Sequence, residues 1–586
     1  MLVAIRDIGR WSIRHGRAEV DVRDGSKIVF LKFSENCRYM GAEVEDFIPP
    51  KATKYLYEPG QSKGNRPSPV AQITSPGKTL KKKIVAWIKK GLEYAEKDHK
   101  DLIEKLLESF QKVEEETKLD IEERLDSIYS GIPKNKRSPV YLGIKIEDRY
   151  IGQLEPFKTI AKKMKSEKLS EISASQKVCS VCGEIKEFIT GDNSDIYRFY
   201  TIDKPGFIIG GFLKPLAWRN YPLCIECREE LKAGRAFTEK YLKQKFVDRV
   251  EYFTIPKLMV PAEETLGEIL EIFSELPQNV FLKERIVNRL TEDEQEILEI
   301  ISEKSDVLTL NFLFFEKSGG SSSAEKILHL IEDVFPSRLR EIFNAKKAVD
   351  TLFSRSFTFY DLRVFFSKSD EDKRNYDLDR YFLEIINSIF KGIKVDLSFI
   401  MKFLMLKLRK NFIKARENPQ DMSFHETVTQ AIMSLMFLQQ LNLIDFKEEA
   451  VMEQGGIFDS LFEKYGKALN SPEKRGLFLL GTLTQMLLNV QYAKRDSAPF
   501  MKKLKGLKME RSDILRLMPE VRAKLEEYES FDKGKQQVAE EATKMLLQSD
   551  DKWNLSVDEI NFYFCAGMNL SKEVANIVYQ KSNEEV

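Results

Sequence analysis

Two C-x-x-C pairs constrain this chain more than any other feature. The first is Cys179-Ser180-Val181-Cys182, followed by Gly183; the second is Cys224-Ile225-Glu226-Cys227, with residues 183–223 between them. Each pair sets two thiolates on a tight turn, at a separation that suits one tetrahedral Zn²⁺ with Zn–S bonds of about 2.3 Å. Gly183 suits such a turn because glycine tolerates positive φ. Four sulfurs leave no coordination position for water, so the expected site is structural. The competing readings are two redox dithiols, or cysteines that bind nothing. A redox pair wants a thioredoxin-like βαβ unit around it, and the neighbouring sequence resembles none. Cys37 and Cys565 are left over and are expected to be reduced and buried.

The segment between the pairs reads Y-R-F-Y-T-I-D-K-P-G-F over residues 197–207, then Trp218-Arg219-Asn220-Tyr221-Pro222. This predicts a short strand and an aromatic loop pinned by the metal, most of the aromatics forming a small core. Arg198, Lys204 and Arg219 among those rings also fit a platform where bases stack and cations hold phosphate.

C-x-x-C-G, F-Y-T-I-D-K-P-G-F and W-R-N-Y-P-x-C-x-x-C together resemble the large subunit of type I-B CRISPR Cascade complexes. Three other segments resemble the same family. They are Tyr55-Leu56-Tyr57 with the basic loop and Ser68-Pro69 after it, R-G-L-F-L-L-G (475–481) leading to Asn489-Val490-Gln491, and F-Y-F-C-A-G-M-N-L (562–570). The resemblance spans nearly the whole chain, and none of its motifs is a catalytic signature. It implies a protein at the 5′-handle end of a crRNA complex that contacts the PAM in duplex target DNA. It further implies R-loop stabilisation, other Cascade subunits as partners, and a docking surface for a separate helicase–nuclease. Members of that family commonly yield a small subunit from an internal start codon. Here Lys447-Glu448-Glu449-Ala450-Val451 precedes Met452, and AAG-GAG-GAG codons would spell a ribosome-binding sequence. A separate polypeptide starting at Met452 is therefore expected.

A chain of 586 residues has room for about four domains and ample core. Its 93 basic and 92 acidic residues nearly cancel, so any nucleic-acid surface must be local. Arg6 and Asp7 come too early for a signal peptide, and no apolar run approaches the roughly 20 residues of a membrane span; a cytoplasmic protein is expected.

Periodicity predicts an α+β chain. Residues 1–165 read as a mixed α/β domain, its first 57 residues strand-like, with a helical insertion over about 80–130 marked by Ile84, Ile88, Leu92 and Phe110. The strand Val140–Ile146 follows the insertion. Next come a four-cysteine zinc module (166–235) and a mainly helical middle region (236–451) with a strand near 307–315. A Ser/Gly loop at 318–323 then precedes an expected helix around Ile327-Leu328. Residues 452–586 read as a helical bundle, with Ser471-Pro472 and the capping box Ser556–Glu559 as helix starts.

Catalytic chemistry is not expected. None of His15, His99, His329 and His425 lies in a metal signature, and His329 reads as a satisfied histidine at the core edge of an amphipathic helix. Gly77-Lys78-Thr79 lacks the first glycine of a P-loop, since Gln72 stands there. Asp370-Glu371-Asp372 reads as a solvated charge run rather than a two-metal site.

Four basic clusters remain. The first is Lys63 and Arg66 in the Gly/Ser/Pro loop, with Lys78, Lys81, Lys82 and Lys83 after it. The second runs from Lys158 to Lys168 and the third from Lys402 to Arg416. The fourth, between 494 and 511, includes Lys502, Lys503, Lys505 and Lys508. A solvated face is the default for any one of them. The first and fourth stand out, one as a flexible basic loop, the other as a basic connector with few acidic neighbours. Both are candidates for sequence-independent phosphate contacts, the first at the PAM and handle, the fourth at the displaced strand.

Overall fold

The computed structural model describes residues 1–17, 22–23, 25–58, 68–133, 136–168, 172–194, 196–197, 202, 206, 208–209, 213–247, 250–259, 263–275, 308–317, 325–370, 376–418, 421–446, 456–549 and 552–584. Lys63, Arg66, Arg198, Lys204, Glu371, Asp372 and Met452 lie outside this set. The chain divides into two compact units: Met1–Lys243, Phe253–Gln278 and Lys317–Lys326 form one, and Gln244–Tyr252, Asn279–Glu316 and Ile327–Val586 the other. The architecture is α+β, with an N-terminal sheet and a helical C-terminal region.

The first unit opens with helix α1 (Leu2–Arg14), which corrects the strand-like reading of the first residues. Ala4, Ile5, Ile8 and Trp11 are buried at helical spacing. Strands β1 (Lys27–Phe33), β2 (Tyr39–Asp46), β3 (Ala71–Gln72), β4 (Val140–Ile146) and β5 (Arg149–Tyr150) form one sheet of order β2-β1-β4-β3, with β5 paired to β4. β1 runs antiparallel to β2 and parallel to β4, with Val29 opposite Leu142. A parallel neighbour requires a crossover. It is supplied by the helical segments between β3 and β4: Pro76–Thr79, Leu80–Val85, Ala86–Gly91, α2 (Lys100–Lys112) and α3 (Glu114–Tyr129).

Both sheet faces are covered. Val29, Leu31, Leu142 and Ile144 pack with Ile84, Ile88, Ile103, Leu106 and Phe110 of the crossover and with Phe157 of α4 (Glu155–Lys168). Ile28, Phe30 and Tyr141 pack on the other face against Phe47, Tyr55 and Tyr57. The Tyr55-Leu56-Tyr57 motif is thus core.

Short strands β6 (Ser173–Ala174), β7 (Lys177–Val178), β8 (Ile185–Lys186), β9 (Ile189–Thr190) and β10 (Leu223–Cys224) build the cysteine region, followed by α5 (Ile225–Tyr241). α1 and α5 cross at backbone contact: a Cβ on Gly9 would lie 1.8 Å from Glu230 O, and one on Gly234 1.9 Å from Ile5 O. α6 (Glu263–Glu275) flanks α1, with Arg17–Glu271 at 3.1 Å.

The middle region carries strands beyond the one near 307–315 that its periodicity predicted. It contains β11 (Lys243–Lys245), β12 (Glu251–Leu258), β13 (Leu308–Lys317) and β14 (Glu325–Val334). The segment around Ile327-Leu328, expected as helix, is β14, and His329 sits on that strand. Its Nε2 is buried without a hydrogen-bond partner among the described residues, which differs from the satisfied histidine expected. In the second unit Phe246, Tyr252, Phe312 and Phe314 interlock at ring distances of 5.1–6.1 Å.

The second unit continues as α7 (Pro336–Phe353), α8 (Asp379–Lys391), α9 (Leu397–Glu417), α10 (Ser423–Gln440), α11 (Pro472–Arg495), α12 (Arg511–Glu527), α13 (Lys533–Gln548), α14 (Val557–Asn569) and α15 (Ser571–Glu584). Ser556 forms the expected capping box with Glu559. Ser471 precedes α11 but makes no side-chain cap bond. α11 and α14 are in backbone contact, where a Cβ on Gly481 would meet Phe564 O at 2.0 Å and one on Gly567 would meet Phe478 O at 1.7 Å. Thr482 Oγ1 donates to Gly567 O across the same crossing, 2.9 Å.

Candidate metal centre and basic surfaces

The first C-x-x-C closes the β7–β8 hairpin, in which Val178 pairs with Ile185. Gly183 N–H donates to Cys179 O and Cys179 N–H to Glu184 O, both at 2.9 Å. Gly183 has φ +74°, the conformation its place in the turn requires. The second pair arrives from β10, where Cys224 lies opposite Ile189 of β9. Cys224 is also the N-cap of α5, its Sγ accepting from Cys227 N–H at 3.4 Å. Ser180 N–H to Pro222 O (2.8 Å) and Cys224 N–H to Cys179 Sγ (3.4 Å) lock the two turns together.

These links bring Cys179, Cys182, Cys224 and Cys227 into one group whose sulfurs all lie within 4.8 Å of each other, three of the residues buried. Sulfurs on a tetrahedron around one ion with bonds of about 2.3 Å stand about 3.8 Å apart, so the group can hold a metal ion. Hydrogen bonds with Cys224 and Cys227 hold the Cys179 thiol far below its ordinary value. The same interaction with Cys179 pushes Cys224 up to about 12 and raises Cys227. Burial, then the charge of Cys179 and Cys227, pushes Tyr221 up to about 12. The N-terminus of α5, with its partial positive charge, favours the thiolate form of the cysteines beside it.

The centre is tied to the first helix. Arg6 donates to Val181 O in the knuckle at 3.3 Å, and Arg10 pairs with Glu230 of α5 at 2.8 Å. Sequence reasoning missed this support; the signal available was the helical spacing of apolar residues around Gly9. Arg219 is exposed and lies 5.5 Å from the Trp218 ring centroid, with Lys177 at 5.9 Å from the same ring.

The basic clusters differ in what neutralises them. Lys158, Lys162 and Lys163 pair with Glu155, Glu226 and Glu96 at 3.2–3.4 Å, and Lys165 pairs with Glu58 and Glu229. In the first cluster Lys78, Lys81 and Lys82 are exposed and Lys83 half-buried. Lys81 pairs with Glu114 at 3.2 Å, while Lys78 and Lys82 make no ion pair among the described residues.

The fourth cluster sits on a strained connector. Lys505, Gly506 and Leu507 take φ of +47°, +61° and +61° in succession. Arg409 donates to Leu507 O (2.9 Å), and the Asn561 side chain exchanges hydrogen bonds with Met509 N–H and O (3.1 and 2.9 Å). The turn leaves Lys502, Lys503, Lys505 and Lys508 exposed. Lys503 pairs with Glu520 at 3.2 Å and Lys505 with Asp513 at 2.6 Å. Lys502 and Lys508 have no such partner among the described residues.

Three family models match in succession, all of CRISPR-associated protein TM1802 (cas_TM1802). The N-terminal domain covers residues 1–163, the central domain 176–334 and the C-terminal domain 357–582. The chain belongs to the CRISPR-associated TM1802 family. The central-domain match contains all four cysteines, and the C-terminal one contains the α11–α14 crossing. No curated protein matches the chain. Among the described residues, no helix is long and apolar enough to cross a membrane.

Proposed function

We propose that this TM1802-family chain is the non-catalytic large subunit of a type I-B CRISPR effector complex, working in the cytoplasm. In this reading it binds the 5′-handle end of the crRNA and recognises the PAM in duplex target DNA. It stabilises the R-loop, holds the displaced strand and recruits a separate helicase–nuclease. The family match along nearly the whole chain carries the proposal. The exposed lysines at 78–82 and 502–508 support it as phosphate contacts on a chain whose overall charge is close to zero. The four thiols support Zn²⁺, which favours tetrahedral thiolate coordination, and a saturated sphere gives that ion a structural role.

Expressing the chain with the other subunits and a CRISPR array tests the role. Short RNAs of uniform length should co-purify; a complex that assembles without them sinks the proposal. Incubating the purified chain with DNA and Mg²⁺ or Mn²⁺ should give no cleavage.

The small-subunit partner is proposed from the same gene, starting at Met452. In the full chain α14 is held by helices that precede that position: Arg409 pairs with Asp558 at 2.6 Å, and Asn569 contacts His425 and Thr429 at 3.2 and 2.8 Å. A product starting at Met452 therefore exposes this face of α14 and needs a partner to cover it. Intact mass of the expressed gene product should reveal the shorter polypeptide; its absence rejects the internal start.

A further inference from the structure

Arg6, Arg10, Arg14 and Arg17 follow one another along α1 and its exit at intervals of four, four and three, the spacing of one helix face. Their acceptors come from three different elements. Arg6 donates to Val181 O at 3.3 Å, between Cys179 and Cys182, and Arg10 pairs with Glu230 of α5 at 2.8 Å. Arg14 pairs with Glu263 and Arg17 with Glu271 (3.1 Å), both of α6. The first half of the helix thus meets the cysteine region, and its far end meets α6. The Arg6 side chain is 13 % exposed, so its guanidinium sits among protein groups rather than in water.

The acceptor of Arg6 lies on a loop with little of its own to hold it. The β7–β8 hairpin pairs Lys177 with Lys186 and Val178 with Ile185, and its apolar pair is exposed, Val178 by 53 % and Ile185 by 66 %. A hairpin this short is at best marginally stable by itself. An ion held by the four thiols ties Cys179 and Cys182 down, and Val181 O with them. It ties down the first turn of α5 as well, through Cys224 and Cys227. Helix α1 crosses α5 without slack, because Glu230 O and Ile5 O fill the places where side chains on Gly9 and Gly234 would stand. We propose that Zn²⁺ binding by the four cysteines and docking of α1 form a single coupled equilibrium, with Arg6 as the positioning residue. A loaded centre fixes the carbonyl that Arg6 needs and the α5 backbone that Gly9 lies against. Docked α1 in return holds the ligand loop where the sulfurs converge, and linkage makes the two effects equal in size. The inference rests on the four-thiol reading of the centre and not on the CRISPR role.

Two measurements on the full chain test both directions. Hydrogen exchange is followed with Zn²⁺ bound and after its removal by a chelator. The α1 amides should exchange about tenfold faster or more once the metal is gone, while those of β1 and β4 keep their protection. Zn²⁺ affinity is then measured by chelator competition. Arg6→Ala should bind Zn²⁺ about tenfold more weakly. The double variant Arg14→Ala with Arg17→Ala, which unlinks α1 from α6 only, should keep the wild-type affinity. A purely structural part for Arg6 would lower the melting temperature and leave the affinity where it was. A chain that binds no Zn²⁺ overturns the four-thiol centre and the coupling with it. A chain that binds Zn²⁺ overturns the coupling alone if α1 exchanges equally in both states or Arg6→Ala keeps full affinity. Equal weakening by the Arg14/Arg17 variant overturns the assignment to Arg6.

Discussion

Cys224 is a prospective metal ligand and, at the same time, the cap of α5. Cys224→Ser separates those jobs, because serine is among the preferred N-caps but a poor partner for a thiolate site. The variant should lose bound metal by elemental analysis and melt at a lower temperature, because metal binding at a structural site contributes directly to folding free energy. Retained metal at one ion per chain would count against the four-sulfur centre. Lys145 is the second residue that matters at this scale. Its side chain is 8 % exposed, pairs with Glu43 and Glu45, and lies 4.9 and 4.6 Å from the Phe30 and Tyr150 ring centroids. Burial opposes the charge on Glu43, but hydrogen bonds from Lys145 and Lys32 outweigh it and hold the carboxyl below its ordinary 4.5. Burial likewise opposes the Lys145 charge, yet its two glutamates raise it above 10.5. The contribution of Glu43 is therefore present above the ordinary carboxylate range and lost as pH falls through the depressed value. That of Lys145 is present below 10.5 and lost as pH rises through the raised one. Lys145→Met should destabilise by about 1.5–3 kcal/mol near neutral pH, because the Glu43 and Glu45 side chains it leaves keep about a third of their surface in water and Lys32 still pairs with Glu43. Urea midpoints of wild type and variant should draw together as pH falls through the depressed Glu43 value.

Among the elements, the helix crossings explain two of the motifs read from the chain. R-G-L-F-L-L-G and F-Y-F-C-A-G-M-N-L contain Gly481 and Gly567, whose missing side chains let α11 and α14 touch through their backbones. Gly567→Ala should cost about 3 kcal/mol or more, since the new methyl would meet a backbone carbonyl that cannot swing aside. A thermal melt within error of wild type would refute this. The crossing was not legible in advance: one sequence shows a glycine inside a helix only as a local cost of about 1 kcal/mol. β14 failed for a related reason. K-I-L-H-L-I is a short apolar run with no turn residue inside it, and such a run is compatible with either element. Its helical spacing was no guide to the strand it forms. In α1 the helical signal lies in the spacing of Ala4, Ile5, Ile8 and Trp11.

Across the whole molecule, near-zero net charge conceals local surfaces of opposite character. The lysines of α4 meet glutamates, whereas Lys502 and Lys508 extend from a strapped turn without ion-pair partners among the described residues. Lys502→Ala with Lys508→Ala should therefore lower the salt slope of single-strand binding by about 0.7 per lost phosphate contact. Lys503→Ala with Lys505→Ala should change it less, because Glu520 and Asp513 already neutralise those two. Equal slopes for the two pairs would dismiss the distinction.

The chain on its own determined whatever depends on neighbours in sequence. The paired thiols with Gly183, the capping box at Ser556, the helical insertion before Val140 and the apolar α11 helix all follow from spacing and side-chain type. Folding alone decided whatever depends on partners far along the chain. It set which lysines meet a carboxylate, which glycines face another backbone, and which apolar run pairs as a strand. Those outcomes are fixed by distances between groups tens to hundreds of residues apart, and residue order by itself carries no measure of such distances.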